Sequence, residues 1–404
     1  MSKTTLTILG AILMSGALAL QAAAGTTPRQ HRLPHMPGIY GLRTMGRFAE
    51  PAQRAIATTT AKKPLRLDSA GYTIVDHPDA DPSWGTRVAG INENSVLAGY
   101  YLSKTDGTFH GFLMNGNDSP IDVQVGHNDT FEFLVNDYNE TFGSYIDSDT
   151  GIEQPWVRTK DGAVIPIQLP DAANGGLGQF VNNKGVLVGI YIDANGAYHC
   201  FTRTSDGVTT ELADAQNSGA GDGQGTQCIG INNKGEIAGA AIDSNYHVVG
   251  FVRGIDGTYH EFEAPKAGRG KNKGTYAAEI DESGRVNGQV IDAHAVLHGF
   301  VRDPKGHYTI VDAPDGGTGP NQGTVAVEHC DGGWCVGEYI DSNGMNHGYY
   351  CTDWCKRRGE LVEFDPPGVG PIGTYVVISS NKAHQIAGTF KDDGAIRHGF
   401  VRNP

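Results

Sequence analysis

Five histidines stand at one recurring place in the chain: His110, His199, His298, His347 and His398, each two residues before an aromatic ring. Histidine serves as metal ligand and as general base, so a set of five invites a metal cage. Ligands must converge to within roughly 2.0–2.2 Å of one ion. Residues that recur once per repeat around a ring stand far apart, so a hydrogen bond inside each repeat is the favoured role. Arg158, Arg203, Arg253, Arg302 and Arg402 follow the aromatic position by two, and Asp147, Asp193, Asp243, Asp292, Asp341 and Asp392 recur in six repeats. Both sets are expected to close turns or to pair between strands. The hairpins at Asp147–Gly151, Asp193–Gly196 and Asp341–Gly344 faintly resemble calcium loops. A calcium site needs about six to eight oxygens, usually with a distal bidentate Glu. None stands at a fixed offset, and Asx-turns account for the hairpins. No metal and no cofactor is expected, and no nucleotide loop, nucleophile elbow or zinc-protease helix motif occurs.

The six cysteines are unevenly placed. Cys330, Cys335, Cys351 and Cys355 fall in the sixth repeat, while Cys200 and Cys228 fall on strand C of the third and strand A of the fourth. In a cytosolic protein the close spacings would be a weak zinc signal; in an exported one oxidation is the better expectation. Four cysteines allow three connectivities. The local pairs, Cys330 with Cys335 and Cys351 with Cys355, are favoured, and a Cys200–Cys228 bond is a further option.

These residues sit on a repeat. A glycine ends a short apolar run at Gly99, Gly143, Gly189, Gly239, Gly288, Gly337 and Gly388, at spacings of 44 to 51 residues. That is the length of a four-stranded propeller blade. Strand A follows a Gly-Thr, as at Gly225-Thr226 and Gly274-Thr275. Strand B reads as Gly189-Ile190-Tyr191-Ile192-Asp193, strand C carries His298-Gly299-Phe300, and strand D is fullest at Tyr308 to Pro314. Strand B is apolar on both faces, as suits a sheet covered on both sides. The seventh unit stops just after strand C, at Pro404. The first repeat segment, Tyr72-Thr73-Ile74-Val75-Asp76-His77-Pro78, matches 308–314 at six of seven positions. An orphan strand D at the start and a missing one at the end predict a ring. The fold expected for 72–404 is therefore all-β: a seven-bladed β-propeller of four-stranded antiparallel blades, closed by the N-terminal strand, with no exposed edge. A linear β-solenoid would need no such permutation.

The combined pattern of Gly-Ile-Asn, Gly-x-Tyr-x-Asp and His-Gly-Phe resembles the HAF repeat family of probable extracellular repeat proteins, with Gly in place of the family's Ala. The resemblance covers 72–404. It implies a secreted bacterial repeat protein; it implies no reaction and transfers no catalytic residue.

Residues 1–24 read as a secretory signal peptide, with Lys3, an apolar run from Leu6 to Leu20, and Ala22-Ala23-Ala24 before Gly25; a buried helix is the alternative. The apolar run is too short for a membrane span of roughly 20 residues. Residues 25–71 form a basic leader with eight Lys/Arg against Glu50 and Asp68, read as flexible or as a tether to an anionic envelope surface. The chain carries 31 basic and 45 acidic residues; removing nine and two of them with residues 1–71 leaves 22 against 43, a net charge near −21. Such a charge disfavours nucleic acid and polyanionic substrates. Glycine fills 57 of 404 positions without a collagen period, and 39% apolar residues with 19% charged exclude a disordered chain.

Function is expected where the units differ. Just after the Gly-Thr they place Arg87, Phe131, Leu177, Gln227, Tyr276, Val325 and Tyr375; deeper in the strand come Glu279, Glu328 and His329. Arg87, Gln227, Tyr276 and Tyr375 are the candidate ligand-binding residues, at the mouth of the central channel, where two tyrosines could stack on sugars and Arg and Gln could donate. The leading expectation is a secreted or periplasmic, non-catalytic monomer that binds a glycan or a protein. The alternatives are a lyase or hydrolase acting on a polysaccharide at the same mouth, and a purely structural envelope protein.

Overall fold

The computed structural model describes residues 71–404 except 116–117, 170 and 357–360; the expected signal peptide and, apart from Gly71, the expected leader lie outside the described residues. The described chain is almost entirely strands joined by short turns. No helix among the described residues is long and apolar enough to cross a membrane.

Each of the first six units folds into four antiparallel strands in chain order. Unit four is representative, with A at Gly225–Ile231, B at Ile237–Ile242, C at His247–Arg253 and D at Tyr259–Phe262. Units one and two are separate four-stranded sheets, while units three to six join into one sheet of 16 strands. The joints are short parallel bridges from strand C to the next strand A, such as Tyr198 with Gly225 and Leu297 with Gly323. The last sheet runs Tyr72–Val75, Arg397–Arg402, Ile386–Lys391 and Thr374–Ser380 in order. Its outer strand thus comes from the other end of the sequence, in the register Tyr72 opposite Arg402 through Val75 opposite Gly399.

Two glycines show why the repeat has its form. A Cβ on Gly225, at φ +117°, would lie 2.2 Å from the Tyr198 carbonyl oxygen, so the bridge to the preceding unit requires glycine there. A Cβ on Gly239 would lie 2.1 Å from the Gln227 carbonyl oxygen, so the anchor glycine lets strands A and B approach. Strand A carries a bulge beside these contacts, as between Cys228 and Gly230 and between Ala277 and Glu279. The threonine after each bridge glycine is a latch. Thr226, Thr275 and Thr324 Oγ1 accept from Ala215, Ala264 and Ala313 N at 3.0, 2.9 and 2.7 Å, tying each D–A loop to the strand that follows.

The core lies between neighbouring sheets. Phe112, Phe201, Phe251, Phe300, Tyr349 and Phe400, the aromatic members of the strand-C motif, are fully buried. Clusters cross unit boundaries, as where Tyr100 of unit one packs with Phe133 and Phe142 of unit two. Burying one such ring is worth about 1.5–3 kcal/mol, and the repeat applies that gain once per unit.

Candidate functional site

The recurring His and Asp residues are engaged inside their own sheets. His298 Nδ1 lies 2.5 Å from Asp312 at the end of strand D, and its Nε2 lies 3.6 Å from Asp292 of strand B. His199 sits likewise between Asp214 and Asp193 at 2.9 and 3.7 Å, and His347 between Asp365 and Asp341 at 2.8 and 3.8 Å. In the last sheet His398 faces Asp392 at 3.6 Å, while its Nδ1 lies 2.9 Å from Asp76 on the strand from the N-terminal end. Tyr191, Tyr339 and Phe390 stack on these imidazoles. Burial alone would raise the Asp312 carboxyl, but hydrogen bonds from His298 and Lys266 outweigh it and bring it down to about 2. The strand-B aspartates also cap their hairpins: Asp292 Oδ1 accepts from His294 N and Val296 N, each at 2.8 Å. Two of the recurring arginines reach across to a ring of the preceding unit: Arg302 lies 4.6 Å from Phe262 of unit four, and Arg402 lies 4.6 Å from Tyr350 on strand C of unit six. The aspartates therefore close turns and pair between strands as expected, each histidine bonds within its own sheet, and these two arginines instead contact rings of the unit before.

At the end holding the A–B hairpins, asparagines link the units. Asn381 Nδ2 donates to the Asn92 carbonyl, Asn92 to Asn136, Asn136 to Asn182, and Asn182 to Asn232, at 2.8–3.2 Å. Asn232 then donates to Asp281 at 3.0 Å. Unit six has Cys330 in place of the asparagine, and a different contact spans that seam. Glu279 Oε1 accepts from His329 Nδ1 at 2.7 Å, and Glu279 Oε2 accepts from Cys330 N and Asn287 Nδ2 at 3.2 and 3.0 Å. Both side chains stay partly open to solvent, Glu279 at 12% and His329 at 21%.

The strand-A starts form a buried layer. Arg87, Gln227, Tyr276 and Tyr375 are exposed by only 3, 3, 1 and 9%. They fall into separate groups. The Tyr276 ring packs with Leu177 and Val325, the equivalent residues of units three and six, in a cluster that includes Ala240 opposite Gln227. Arg87 lies 5.5 Å from the Tyr100 ring, and Phe131 meets the same ring edge-on. Tyr375 stands opposite Thr389, whose hydroxyl donates to Val88 O of unit one at 3.0 Å.

Two members of this layer escaped sequence reasoning. Gln289 stands opposite Tyr276, and Glu338 occupies the same strand-B position in unit six; both are buried. Gln289 Nε2 donates to Val325 O. The oxygens Gln227 Oε1 and Gln289 Oε1 are buried and make no hydrogen bond among the described residues. The signal was present: the residue after the anchor glycine varies as Tyr100, Ser144, Ile190, Ala240, Gln289, Glu338 and Thr389. Histidine in unit four was also missed, because Val249-Gly250-Phe251 lacks the motif; His247, two residues earlier, bonds Glu263 instead.

All six cysteines are paired, as Cys200–Cys228, Cys330–Cys335 and Cys351–Cys355. The first joins strand C of unit three to strand A of unit four; the other two lie within unit six.

No family model and no curated protein matches this chain. Among solved structures the fold is similar to a streptogramin B lyase, at 11% identity and TM-score 0.51, over 82% of this chain and 98% of that one. It is similar to virginiamycin B lyase from Staphylococcus aureus, at 11% identity and TM-score 0.52, over 83% and 100%. A β-propeller domain of a protease from Pyrococcus furiosus aligns at 9% identity and TM-score 0.49, over 78% and 93%. With its successive four-stranded antiparallel sheets, the chain is a β-propeller. At these identities the likeness concerns the fold alone.

Proposed function

We propose that residues 72–404 form a closed ring of seven blades, exported by a signal peptide at 1–24 behind a basic leader at 25–71. In this reading it is a monomeric, non-catalytic binding protein for a glycan or a protein outside the cell or in its envelope. The closure reading rests on the pairing of Tyr72–Val75 with Arg397–Arg402 and on the Asn381-to-Asn92 hydrogen bond. Export is supported by three disulfides, which persist in oxidising compartments.

The observation that carries the binding reading is the layer at the strand-A starts. Elsewhere the units repeat one another closely. Here they differ, and Gln227 Oε1 and Gln289 Oε1 are buried without hydrogen bonds. A buried acceptor left unmade costs about 1–3 kcal/mol, a cost that a bound donor removes. Tyr276, Tyr375, Arg87 and Gln227 would then line the inner end of a ligand site rimmed by the D–A loops at 211–226 and 262–275. Few polar groups in an apolar wall is the usual make-up of ligand pockets.

Screening the mature chain on a glycan array tests this. Binding that is lost in Tyr276→Phe, Tyr375→Phe or Arg87→Ala, with folding intact, supports the site. Binding unchanged in all three, but lost on mutating the outer rims, moves the site elsewhere. The enzymatic reading has one observation of its own, the half-open Glu279–His329 pair, a carboxylate orienting an imidazole as in general-base catalysis. Release of shortened or unsaturated sugar products from a bound glycan, abolished in His329→Gln, would replace the binding reading with that one.

A further inference from the structure

Unit six holds four cysteines at the end of the sheet where the other units have none. Cys330–Cys335 closes its A–B hairpin and Cys351–Cys355 closes the turn after strand C. The two bonds abut. Cys335 and Cys351 stand directly opposite one another on paired strands. The Sγ atoms of Cys335, Cys351 and Cys355 all lie within 4.8 Å of one another, and Cys330 is bonded to Cys335.

We propose that, when reduced, these four sulphurs form a tetrahedral thiolate site for a soft d10 cation of the Zn2+ class, so that unit six can be closed either by disulfides or by a metal. Four-coordinate zinc with Zn–S bonds of about 2.3 Å places its sulphurs roughly 3.8 Å apart. Three of the four lie within 4.8 Å of one another, no more than about one ångström beyond that spacing, and reduction frees the bonded pair Cys351–Cys355 to open to it. Cys335 and Cys351 are held by paired strands, so two ligands are pre-positioned. Cys330, Cys335 and Cys351 share a buried cluster with Val301, Val327, Tyr339 and Tyr349, while Cys355 packs against it partly exposed.

The fourth ligand lies in a turn that needs a tether. Asp353, Trp354 and Cys355 have φ of 48, 58 and 55°. Non-glycine residues in this left-handed region cost roughly 1–2 kcal/mol each. The disulfide supplies the tether in the oxidised chain, and a metal on Cys355 would supply it in the reduced one. Four thiolates around a divalent ion leave two negative charges. Lys356 stands beside the ligand turn, and the Arg285 guanidinium lies 4.1 Å over the Trp354 ring. Cys200 and Cys228 have no third sulphur near them among the described residues, and provide an internal control.

The chemistry balances. A dithiol reductant supplies two electrons and two protons to each of the two disulfides, giving four thiols and two oxidised reductant molecules. Binding one divalent ion to the four thiolates then releases the four thiol protons.

The test uses the full mature chain, reduced anaerobically with a phosphine that is then removed, and titrated with Co2+. Thiolate-to-cobalt charge-transfer bands and tetrahedral ligand-field bands should saturate at one ion per chain and vanish on adding Zn2+. Cys335→Ser and Cys351→Ser should each weaken Zn2+ binding at least tenfold, while the Cys200→Ser/Cys228→Ser variant binds normally. If the reduced chain loses its β-sheet circular dichroism, Zn2+ should restore it. A reduced wild type that gives no tetrahedral bands, bands that survive Cys335→Ser, or Zn2+ uptake without recovery of a lost β-sheet signal would overturn the proposal.

Discussion

The seam between units three and four and the seam between units one and two use one position for opposite purposes. In each, strand C of one unit faces the fourth residue of the next strand A. Between three and four that pair is Cys200 and Cys228, joined covalently and fully buried. Between one and two it is Gly111 and Glu132; a Cβ on Gly111 would lie 2.8 Å from that of Glu132. Glu132 is fully buried, and its carboxyl oxygens make no hydrogen bond among the described residues. Burial pushes its pKa well up, against weaker opposing effects from Thr141 and Arg158. Units one and six put Val88 and Val327 at this position. The repeat therefore fixes where two units touch, and a single residue decides whether the contact is covalent, apolar or titratable.

The largest effect should come from removing a whole contact surface. Deleting 72–78 strips the outer strand from the last sheet, with Val75 and the Asp76 partner of His398. The melting temperature should fall by roughly ten degrees or more, or cooperative melting should be lost. Deleting 25–66 should leave it unchanged; an equal loss in both truncations would break the distinction between leader and sheet.

Next is the covalent seam. Cys200→Ser/Cys228→Ser should cost about 2–5 kcal/mol in urea unfolding. A loss confined to a few tenths of that would show that the apolar packing around it carries the seam.

Smaller, and opposite in sign along the pH axis, are the buried titratable groups. Glu132 has a raised pKa, so its contribution is fully present below its unfolded value and is lost as pH rises through the folded one. Glu132→Val should stabilise by about 1–3 kcal/mol at neutral pH and flatten this decline. His77, stacked on Tyr101 at 3.7 Å where units three to five place Ala215, Ala264 and Ala313, has its pKa lowered by burial despite Asp122. Its contribution is present above the unfolded value and is lost as pH falls. His77→Ala should flatten the acid side alone. Parallel shifts in the two variants would contradict the assignment of either residue.

Much of this was legible in the chain. The match of 72–78 to 308–314 foretold the partner of Arg397–Arg402, and the change from His-Gly-Phe to His199-Cys200-Phe201 marked the covalent seam, since the glycine faces the next strand A. The site was legible only in part. Which strand-B residue joins Tyr276 depends on register, and the bulge in strand A shifts that register midway along the strand. Repeat spacing alone could not give it, so Gln289 and Glu338 were missed. Nor does spacing tell that Arg87, Gln227, Tyr276 and Tyr375 turn into the packed layer: their residue types suit an open mouth as well as a buried one.

The central claim is that one chain closes on itself through its first strand. Thr73 and Val401 are directly opposite in that pairing. A Thr73→Cys/Val401→Cys variant, gently oxidised at low concentration, tests it most directly. The account predicts an intramolecular bond between the two new cysteines, found by peptide mass mapping, and a raised melting temperature. Two free thiols in a folded protein, or a bond found only between chains, would contradict it.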